Sequence, residues 1–392
     1  MQFELTNQQR TYLGLEPVES HWDKVALTDE IHLYFDGNTI KKSISVSDNH
    51  YKENKMDEET DNREMLLPKT KRGKPKKLNF SSFQSRNGVG TYFSYSPKNG
   101  VTIGNYTTQK TYYETYFEKI EIPGFTALKN WLADFMEQST EADKKDIEAF
   151  SQEERKRVKI KEGDFFKFKA DRRNFGFGRV LLDIRKLRKD KNFAEKKHYG
   201  LTQLMGQALV IKVYHIIAHN NVALDELKTL RAFPAQYIMD NRLFYGEFEI
   251  IGNAPLEDHE YDFPISYSQS ISAKAPNTVY LQWGLIYRET HIDQYDKHLV
   301  FDNPHAQQEY NKKVKNPYRN ESTGFSLYVD KPMMEQCIKV QSHQPFWDGP
   351  RYSNQYDLRN PVNQAIKDEV FTAFGLDSSK TYAENLKNYL AS

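Results

Sequence analysis

Residues 175–182, FGFGRVLL, constrain the fold of this chain most, because two glycines and an arginine lie inside an otherwise apolar run. A glycine-rich phosphate-binding loop needs a third glycine or a GK[ST] sequence, followed by a helix. Here a Val-Leu-Leu run follows, and it favours an extended strand. Gly176 and Gly178 share one face of such a strand and leave room there for an aromatic ring or a close backbone. We therefore predict a core strand rather than a phosphate-binding loop.

Arg179 is the charged residue of this predicted strand. A guanidinium group keeps its charge in proteins, so at the edge of an apolar core it needs a carboxylate or several carbonyl groups as partners. Asp164, at the start of the preceding DFFKF segment, is the predicted partner. We expect Arg179 to stabilise the fold rather than to take part in catalysis.

The chain as a whole predicts an α+β fold that is rich in strands. Two segments have the form of hairpins, at 31–47 (IHLYF, DGN, TIKKSISVS) and at 90–108 (GTYFSYS, PKNG, VTIGNYTT). Further short strands are predicted for DFFKF, FGFGRVLL, ALVIKVYHII, GEFEII and VYLQWGLIY. Helices are predicted at 126–138 and about 140–157, after Asn360-Pro361, and after the capping box that joins Thr381 and Glu384.

The sequence predicts four successive regions, since 392 residues exceed most single cores. Residues 1–120 form a β-rich N-terminal region, and 121–158 a helical connector. Residues 159–310 form a strand-rich central domain, and 311–392 a C-terminal region that ends in two helices. Within the first region, residues 48–66 are polar and charged with almost no apolar periodicity, which predicts a mobile loop.

Composition narrows the class of protein. Lys and Arg total 55 against 54 for Asp and Glu, and a net charge of +1 gives no overall attraction to nucleic acid or anionic lipid. Cys337 is the single cysteine, so no intramolecular disulfide can form. The start lacks the pattern of a signal peptide, and no run approaches the roughly 18 apolar residues of a membrane helix. We expect a cytoplasmic protein with no membrane partner and no cofactor.

Two groups of histidines are candidate metal ligands. His215 and His219 lie on a predicted strand, where their side chains would be roughly 13 Å apart and too distant to share an ion. The segment HIDQYDKH, with His305 nearby, has the right ligand types without a recognised spacing. We interpret it as a solvated loop and expect no metal; the alternative is a metal site that activates water in a phosphoester hydrolase, formed by His291, Asp293, Asp296 and His298.

The segment KTKRGKPKK at 69–77 contains six cations and no acid. Such a run could contact phosphates, and with aromatic strands such as TYFSYS it supports the alternative of a nucleic-acid-binding defence or regulatory protein. A basic loop balanced by the preceding acidic DEETD is an equally natural interpretation. The six candidate residues are Lys69, Lys71, Arg72, Lys74, Lys76 and Lys77.

Three landmarks occur in order along the central region: GDFFKFKADRRNFGFGRVL at 163–181, ALVIKVY at 208–214 and FEIIGNAPL at 248–256. Together they resemble the immunity protein 26 family, which is associated with bacterial polymorphic toxin systems. The resemblance covers about 160–290. The matching positions are Gly163, Asp164, Phe165, Phe175, Gly176, Phe177, Gly178, Arg179, Ile251, Gly252, Pro255 and Leu256.

The resemblance implies a binding protein that neutralises a cognate protein toxin by stoichiometric binding. Such a protein works through shape and charge complementarity and needs no catalytic residues. The naming of the family also links it to a phosphotriesterase-type hydrolase. We therefore expect a toxin-binding protein rather than an enzyme, with the metal-assisted hydrolase and the nucleic-acid-binding protein as alternatives.

Overall fold

The computed structural model describes residues 3–69, 72–191, 193, 199–202, 204–303, 308–309, 312–325, 331–349 and 352–391. The chain forms two compact units. The N-terminal unit comprises Met1–Val158, with Asp171–Arg173 and Phe244–Glu247. The C-terminal unit comprises Lys159–Ala170, Asn174–Leu243 and Phe248–Ser392. Among the described residues, no helix has the length and apolar character needed to cross a membrane.

The N-terminal unit is built on one antiparallel sheet. Its nine strands are β1 Asp23–Ala26, β2 Ile31–Asp36, β3 Thr39–Ser47, β4 His50–Asp61, β5 Met65–Leu66, β6 Lys76–Lys77, β7 Thr91–Ser96, β8 Gly100–Asn105 and β9 Lys110–Glu114. The main order is β1-β2-β3-β4-β7-β8-β9, and β5 pairs with both β4 and β6. Its helices are α1 Asn7–Tyr12, α2 Phe80–Gln84, α3 Phe125–Glu137 and α4 Glu141–Gln152.

Both predicted hairpins are confirmed, as β2–β3 and β7–β8. The predicted helix at 126–138 is confirmed as α3, whose inward face carries Leu128, Leu132 and Phe135. The four-region division itself stays a prediction.

The prediction of a mobile loop at 48–66 is wrong. Most of this segment forms β4, a strand of 12 residues that pairs with β3 on one side and β7 on the other. Some of the side chains that alternate toward the interior are charged. The sequence therefore does not show the period-two apolar pattern of a half-buried strand. Glu53, for example, is completely buried although its chemistry suggests a surface position.

Glu53 is buried because cations surround it. Arg10 of α1 donates to its Oε1 at 2.9 Å, Lys42 of β3 pairs with the same oxygen, and the Tyr51 hydroxyl donates to Oε2 at 2.6 Å. Burial lowers the pKa of Lys42, an effect that Glu53 opposes, and burial together with Glu53 raises the pKa of Tyr51. A buried carboxylate that accepts from three donors fixes β3, β4 and α1 together.

Replacing Glu53 with Gln should lower the free energy of unfolding by about 3–5 kcal/mol, because the buried Lys42 loses its counter-charge and Arg10 keeps only that of Glu4. Urea denaturation followed by circular dichroism measures this. Glu59→Gln is the matched control, since Glu59 is exposed on the same strand. Equal stability of the two variants would contradict the assignment of Glu53 to the core.

Among its described residues, the C-terminal unit contains three further antiparallel sheets. The strands of the five-stranded sheet are β10 Asp164–Lys169, β11 Phe175–Asp183, β12 Ala208–Ala218, β13 Gln236–Met239 and β14 Glu249–Asn253, in the order β13-β12-β11-β10-β14. The three-stranded sheet consists of β15 Ile265–Gln269, β16 Thr278–Trp283 and β17 Ile286–His291. The remaining pair is β18 Val300–Asp302 and β19 Lys313–Lys315.

Helices after residue 159 are mostly short until the end of the chain. They are α5 Ile184–Leu187, α6 Tyr199–Thr202, α7 Leu224–Thr229, α8 Asn241–Phe244, α9 Lys331–Val340, α10 Gln344–Trp347, α11 Tyr352–Gln355, α12 Gln364–Ala373 and α13 Tyr382–Ala391, with 3-10 turns at Asp258–Glu260 and Pro361–Asn363. The predicted signals are confirmed: Thr381 and Glu384 cap α13 reciprocally, and Gly375 follows α12 in the left-handed region. The structure is therefore α+β and rich in strands, as expected.

The segment VYLQWGLIY, predicted as one strand, is instead a hairpin formed by β16 and β17. Gly284 turns the chain with a φ of +53°, and a Cβ atom there would lie 2.4 Å from the ring of Phe263. A single hydrophobic core contains Leu181 of β11, side chains of the three-stranded sheet, and Phe371 and Tyr382 of the last two helices. Residues on both sides of position 310 therefore share this core.

Candidate functional site

The family-like positions come together on or next to β11, β10 and β14, the three neighbouring strands that end at one edge of the five-stranded sheet. β10 lies between β11 and β14, and Phe165 is paired with Arg179 on one side and with Gly252 on the other. The strand interpretation of 175–182 is confirmed, since Phe175–Asp183 is one continuous strand. Phe165, Phe177 and Arg179 are completely buried. This part of the sheet is interior to the unit.

The two glycines of β11 make room for phenylalanine rings of β10. A Cβ atom on Gly176 would lie 2.3 Å from Cζ of Phe168, and one on Gly178 would lie 2.4 Å from Cζ of Phe166. The second Cβ would also lie 2.6 Å from the carbonyl oxygen of Lys212. No side chain fits at these distances, so glycine is required at both positions by packing.

Gly163 and Asp164 fix the backbone at the start of β10. Gly163 has a φ of +83°, and a Cβ atom there would lie 2.1 Å from the carbonyl oxygen of Ala254. The carboxylate of Asp164 accepts from the backbone N–H of Lys161 at 2.7 Å and from the side chain of Asn253 at 2.8 Å. Asp164 thus joins the entry to β10 with the end of β14.

Arg179 is completely buried, and its partners differ from the predicted one. Nη1 donates to both carboxylate oxygens of Glu260, at 2.6 Å from Oε2. Nη2 donates to the carbonyl oxygens of Ala254 and Pro255, each at 2.7 Å. The guanidinium also lies over the ring of Phe165, 4.3 Å from its centre. The expectation of a buried, partnered arginine holds, but the carboxylate is Glu260 and not Asp164.

Lys212 of β12 completes a cluster of three buried charges with Arg179 and Glu260, which we call the motif cluster. Its Nζ lies 2.7 Å from Oε1 of Glu260, and Lys212 is the strand neighbour of Arg179. Burial would raise the pKa of Glu260, but the hydrogen bond from Lys212 and the charge of Arg179 lower it overall. Burial lowers the pKa of Lys212, which Glu260 opposes. The cluster fastens two strands to the Asp258–Glu260 turn.

The remaining family-like positions are also structural. Ile251 packs around Phe165, and a Cβ atom on Gly252 would lie 2.5 Å from Cδ1 of Leu224 in α7. Leu256 packs against the main core of the unit. Most of the family-like positions are therefore buried or half-buried in the unit, whereas Pro255 is exposed.

Arg179→Ala should lower the free energy of unfolding by about 3–5 kcal/mol, because it leaves Glu260 buried beside one remaining cation. Lys228→Ala is the control: Lys228 forms a solvent-exposed pair with Asp225 at 3.2 Å, whose loss costs about 0–1 kcal/mol. Urea unfolding curves compare the two variants. Similar midpoints would show that the motif cluster contributes little to stability.

His215 lies in β12, as the apolar run around it predicted, and is 2% exposed. Its ring contacts Phe233 with 4.2 Å between ring centres and His343 with 5.4 Å. Neither ring nitrogen has a hydrogen-bond partner among the described residues. Burial, with smaller contributions from His343 and Arg231, lowers the pKa of His215 to about 4. His215 is therefore neutral at pH 7.

Because His215 takes up a proton near pH 6.5 when unfolded and near pH 4 when folded, its contribution to stability is complete above pH 6.5 and is lost as the pH falls toward 4. Between pH 7 and pH 4.5, the free energy of unfolding should fall by about 2–3 kcal/mol more in wild type than in His215→Phe. Urea unfolding at both pH values measures this. His291→Gln, at a half-exposed position, should behave like wild type; an identical loss in His215→Phe would contradict the burial of His215.

The four alternative metal ligands are not brought together. His291 pairs with Asp293 at 3.2 Å, whereas Nε2 of His298 lies 2.8 Å from Glu369 of α12, and Asp296 is exposed. Among the described residues, no group of three or more His, Cys, Asp or Glu side chains is placed to hold a metal ion. His305 lies outside the described residues.

The basic segment 69–77 lies in the N-terminal unit. Lys69 pairs at 2.7 Å with Glu58, a member of the acidic DEETD sequence that precedes the segment. Lys71 lies outside the described residues, and Lys69, Arg72, Lys74, Lys76 and Lys77 are exposed. In the neighbouring TYFSYS strand, Phe93 and Tyr95 are buried and Tyr92 stacks on Tyr106 at 4.3 Å. Phe93 and Tyr95 therefore belong to the core, whereas Tyr92 and Tyr106 are half-buried and stack on each other.

Sequence reasoning missed Glu260 and Lys212. A lysine within the apolar run ALVIKVY was a usable signal, because a cation on a buried strand needs a carboxylate. Glu260 lies in the polar stretch EDHEYD, 81 residues from Arg179, and nothing local distinguishes it from its neighbours.

Comparison with known proteins finds that the part of the chain around this site is similar to a family of immunity proteins. Residues 161–275, which contain all five strands of the sheet and the motif cluster, match the model of the Immunity protein 26 family. The match covers less than a third of the chain and confirms the resemblance seen in the sequence. No curated protein and no solved structure gives a significant match to the chain.

Proposed function

We propose that this chain is an immunity-type protein that binds a cognate bacterial toxin in the cytoplasm of the producing cell and neutralises it by stoichiometric occlusion. The observation that carries the proposal is the match of residues 161–275 to the Immunity protein 26 family. The motif cluster agrees with it, since the family-like positions are used for a rigid scaffold.

A rigid interior is what such a protein requires. Side chains held in place lose little conformational freedom on binding, so more of the interaction energy remains as affinity. Specificity then comes from shape and charge on the exposed surface of the unit. In this proposal the motif cluster stabilises the fold, and exposed residues determine which toxin is bound.

The test uses the protein encoded beside this gene, because immunity proteins are encoded next to their toxins. The neighbouring protein is expressed with and without this chain, and growth is followed; the purified pair is examined by light scattering and calorimetry. We expect protection from growth arrest and a complex of defined stoichiometry. Protection by catalytic amounts would favour the hydrolase alternative, and absence of both protection and binding would overturn the proposal.

The variant Arg179→Ala tests whether Arg179 contributes to stability alone or also contacts the toxin. At a temperature where the variant remains folded, its dissociation constant for the toxin should lie within about twofold of wild type, because Arg179 is completely buried. Protection in cells should fall only with the amount of folded protein. A variant with wild-type stability and no binding would place Arg179 in the contact surface.

A further inference from the structure

Two short segments of the C-terminal unit present lysines on one surface. In residues 159–161, Ile160 is 3% exposed while Lys159 and Lys161 on either side are exposed. This alternation points both lysines outward from an anchored extended segment. The second segment is α5 and the turn after it, where Lys186 and Lys189 are exposed and three residues apart on a helical turn.

The two segments are in direct contact. Nζ of Lys186 donates to the carbonyl oxygen of Ile160, the residue between the first two lysines, at 3.4 Å. Lys159, Lys161, Lys186 and Lys189 therefore form one surface, which we call the basic face.

The motif residues hold the basic face in position. Lys161 donates its backbone N–H to the carboxylate of Asp164 at 2.7 Å, and its carbonyl oxygen accepts from the N–H of Asp164 at 3.2 Å. The N–H of Gly163 donates to the carbonyl oxygen of Val180 in β11 at 2.8 Å. The lysines thus project from a backbone fixed to the central sheet.

Nearby carboxylates compensate the four lysines only partly. Asp183 is completely buried and accepts from Arg185 through both oxygens, at 2.9 and 2.8 Å, although it also lies 3.5 Å from Nζ of Lys186. Glu162 and Asp190 are exposed. Glu162 accepts from the backbone N–H of Asp183, and Asp190 accepts from that of Phe193. Within the described residues 159–162 and 184–190, four exposed lysines stand against two exposed acids, which leaves an excess of positive charge.

We propose that the basic face is the surface that receives the toxin, and that it contacts an acidic face of that protein. This inference rests on the proposed function and names the side of the molecule that performs it. A positive surface on a fixed backbone accelerates encounter with an acidic partner and fixes its orientation, and the effect weakens as salt screens the charges.

The test is a kinetic comparison with the toxin encoded beside the gene. The variant Lys159→Glu/Lys161→Glu/Lys186→Glu should associate at least about tenfold more slowly than wild type at low salt, and the difference should shrink in 0.5 M NaCl. Its matched control is Lys74→Glu/Lys76→Glu/Lys77→Glu, which makes the same charge change in the other basic segment and should associate like wild type. Circular dichroism and urea unfolding confirm that both variants are folded.

The outcomes separate the two proposals. If wild type binds the toxin and the basic-face variant associates equally fast, the toxin does not bind at the basic face, and the proposed function stands. If the control variant is the slow one, residues 69–77 receive the toxin instead. If wild type does not bind the toxin, the proposed function fails and this inference fails with it. If the basic-face variant loses affinity for a 20-nucleotide RNA or DNA probe but not for the toxin, the face binds nucleic acid.

Discussion

The buried pair of Arg179 and Glu260 is the interaction on which the C-terminal unit depends most. It joins the middle of the five-stranded sheet to a turn 81 residues further along the chain, and the guanidinium also binds the two carbonyl oxygens just before that turn. A charge placed so deeply is tolerated only with its partners present, since desolvation of an unpaired ion costs several kcal/mol. Lys212 adds a second cation to the same carboxylate. The path of the chain after β14 is therefore fixed by electrostatics as much as by apolar packing.

The same arrangement explains the glycines around it. The ring tips of Phe166 and Phe168 occupy the space that Cβ atoms on Gly178 and Gly176 would need, so the pairing of β10 with β11 depends on these glycines. Asp164, at the start of β10, then fixes the entering segment that carries the outward lysines. Interior residues and the proposed binding surface are thus linked through one strand, and stability of the sheet is a condition for presentation of the basic face.

Local patterns predicted much of the fold. Period-two alternation and turn residues identified the hairpins, helical spacing identified α3, and the glycine alternation identified β11. Predictions were wrong where a distant residue makes burial of a charge possible. The charged Glu53 makes β4 resemble a loop in the sequence, because the buried cations that pair with it are distant along the chain. Gly284 divides one apolar run into two strands, which a period-two pattern alone does not reveal. Glu260 could not be identified as the partner of Arg179, because carboxylates are abundant and only the fold selects one.

The most direct measurement of the central claim replaces all three charges of the motif cluster at once. In Arg179→Met/Lys212→Met/Glu260→Met no charge remains buried without a partner, so stability should be higher than in Arg179→Ala, because apolar replacement of a complete buried ion cluster is often close to neutral. Its affinity for the toxin should equal that of wild type within about twofold, since the exposed surface is unchanged. A stable triple variant that no longer binds the toxin would contradict the account, because it would show that the motif cluster itself takes part in recognition.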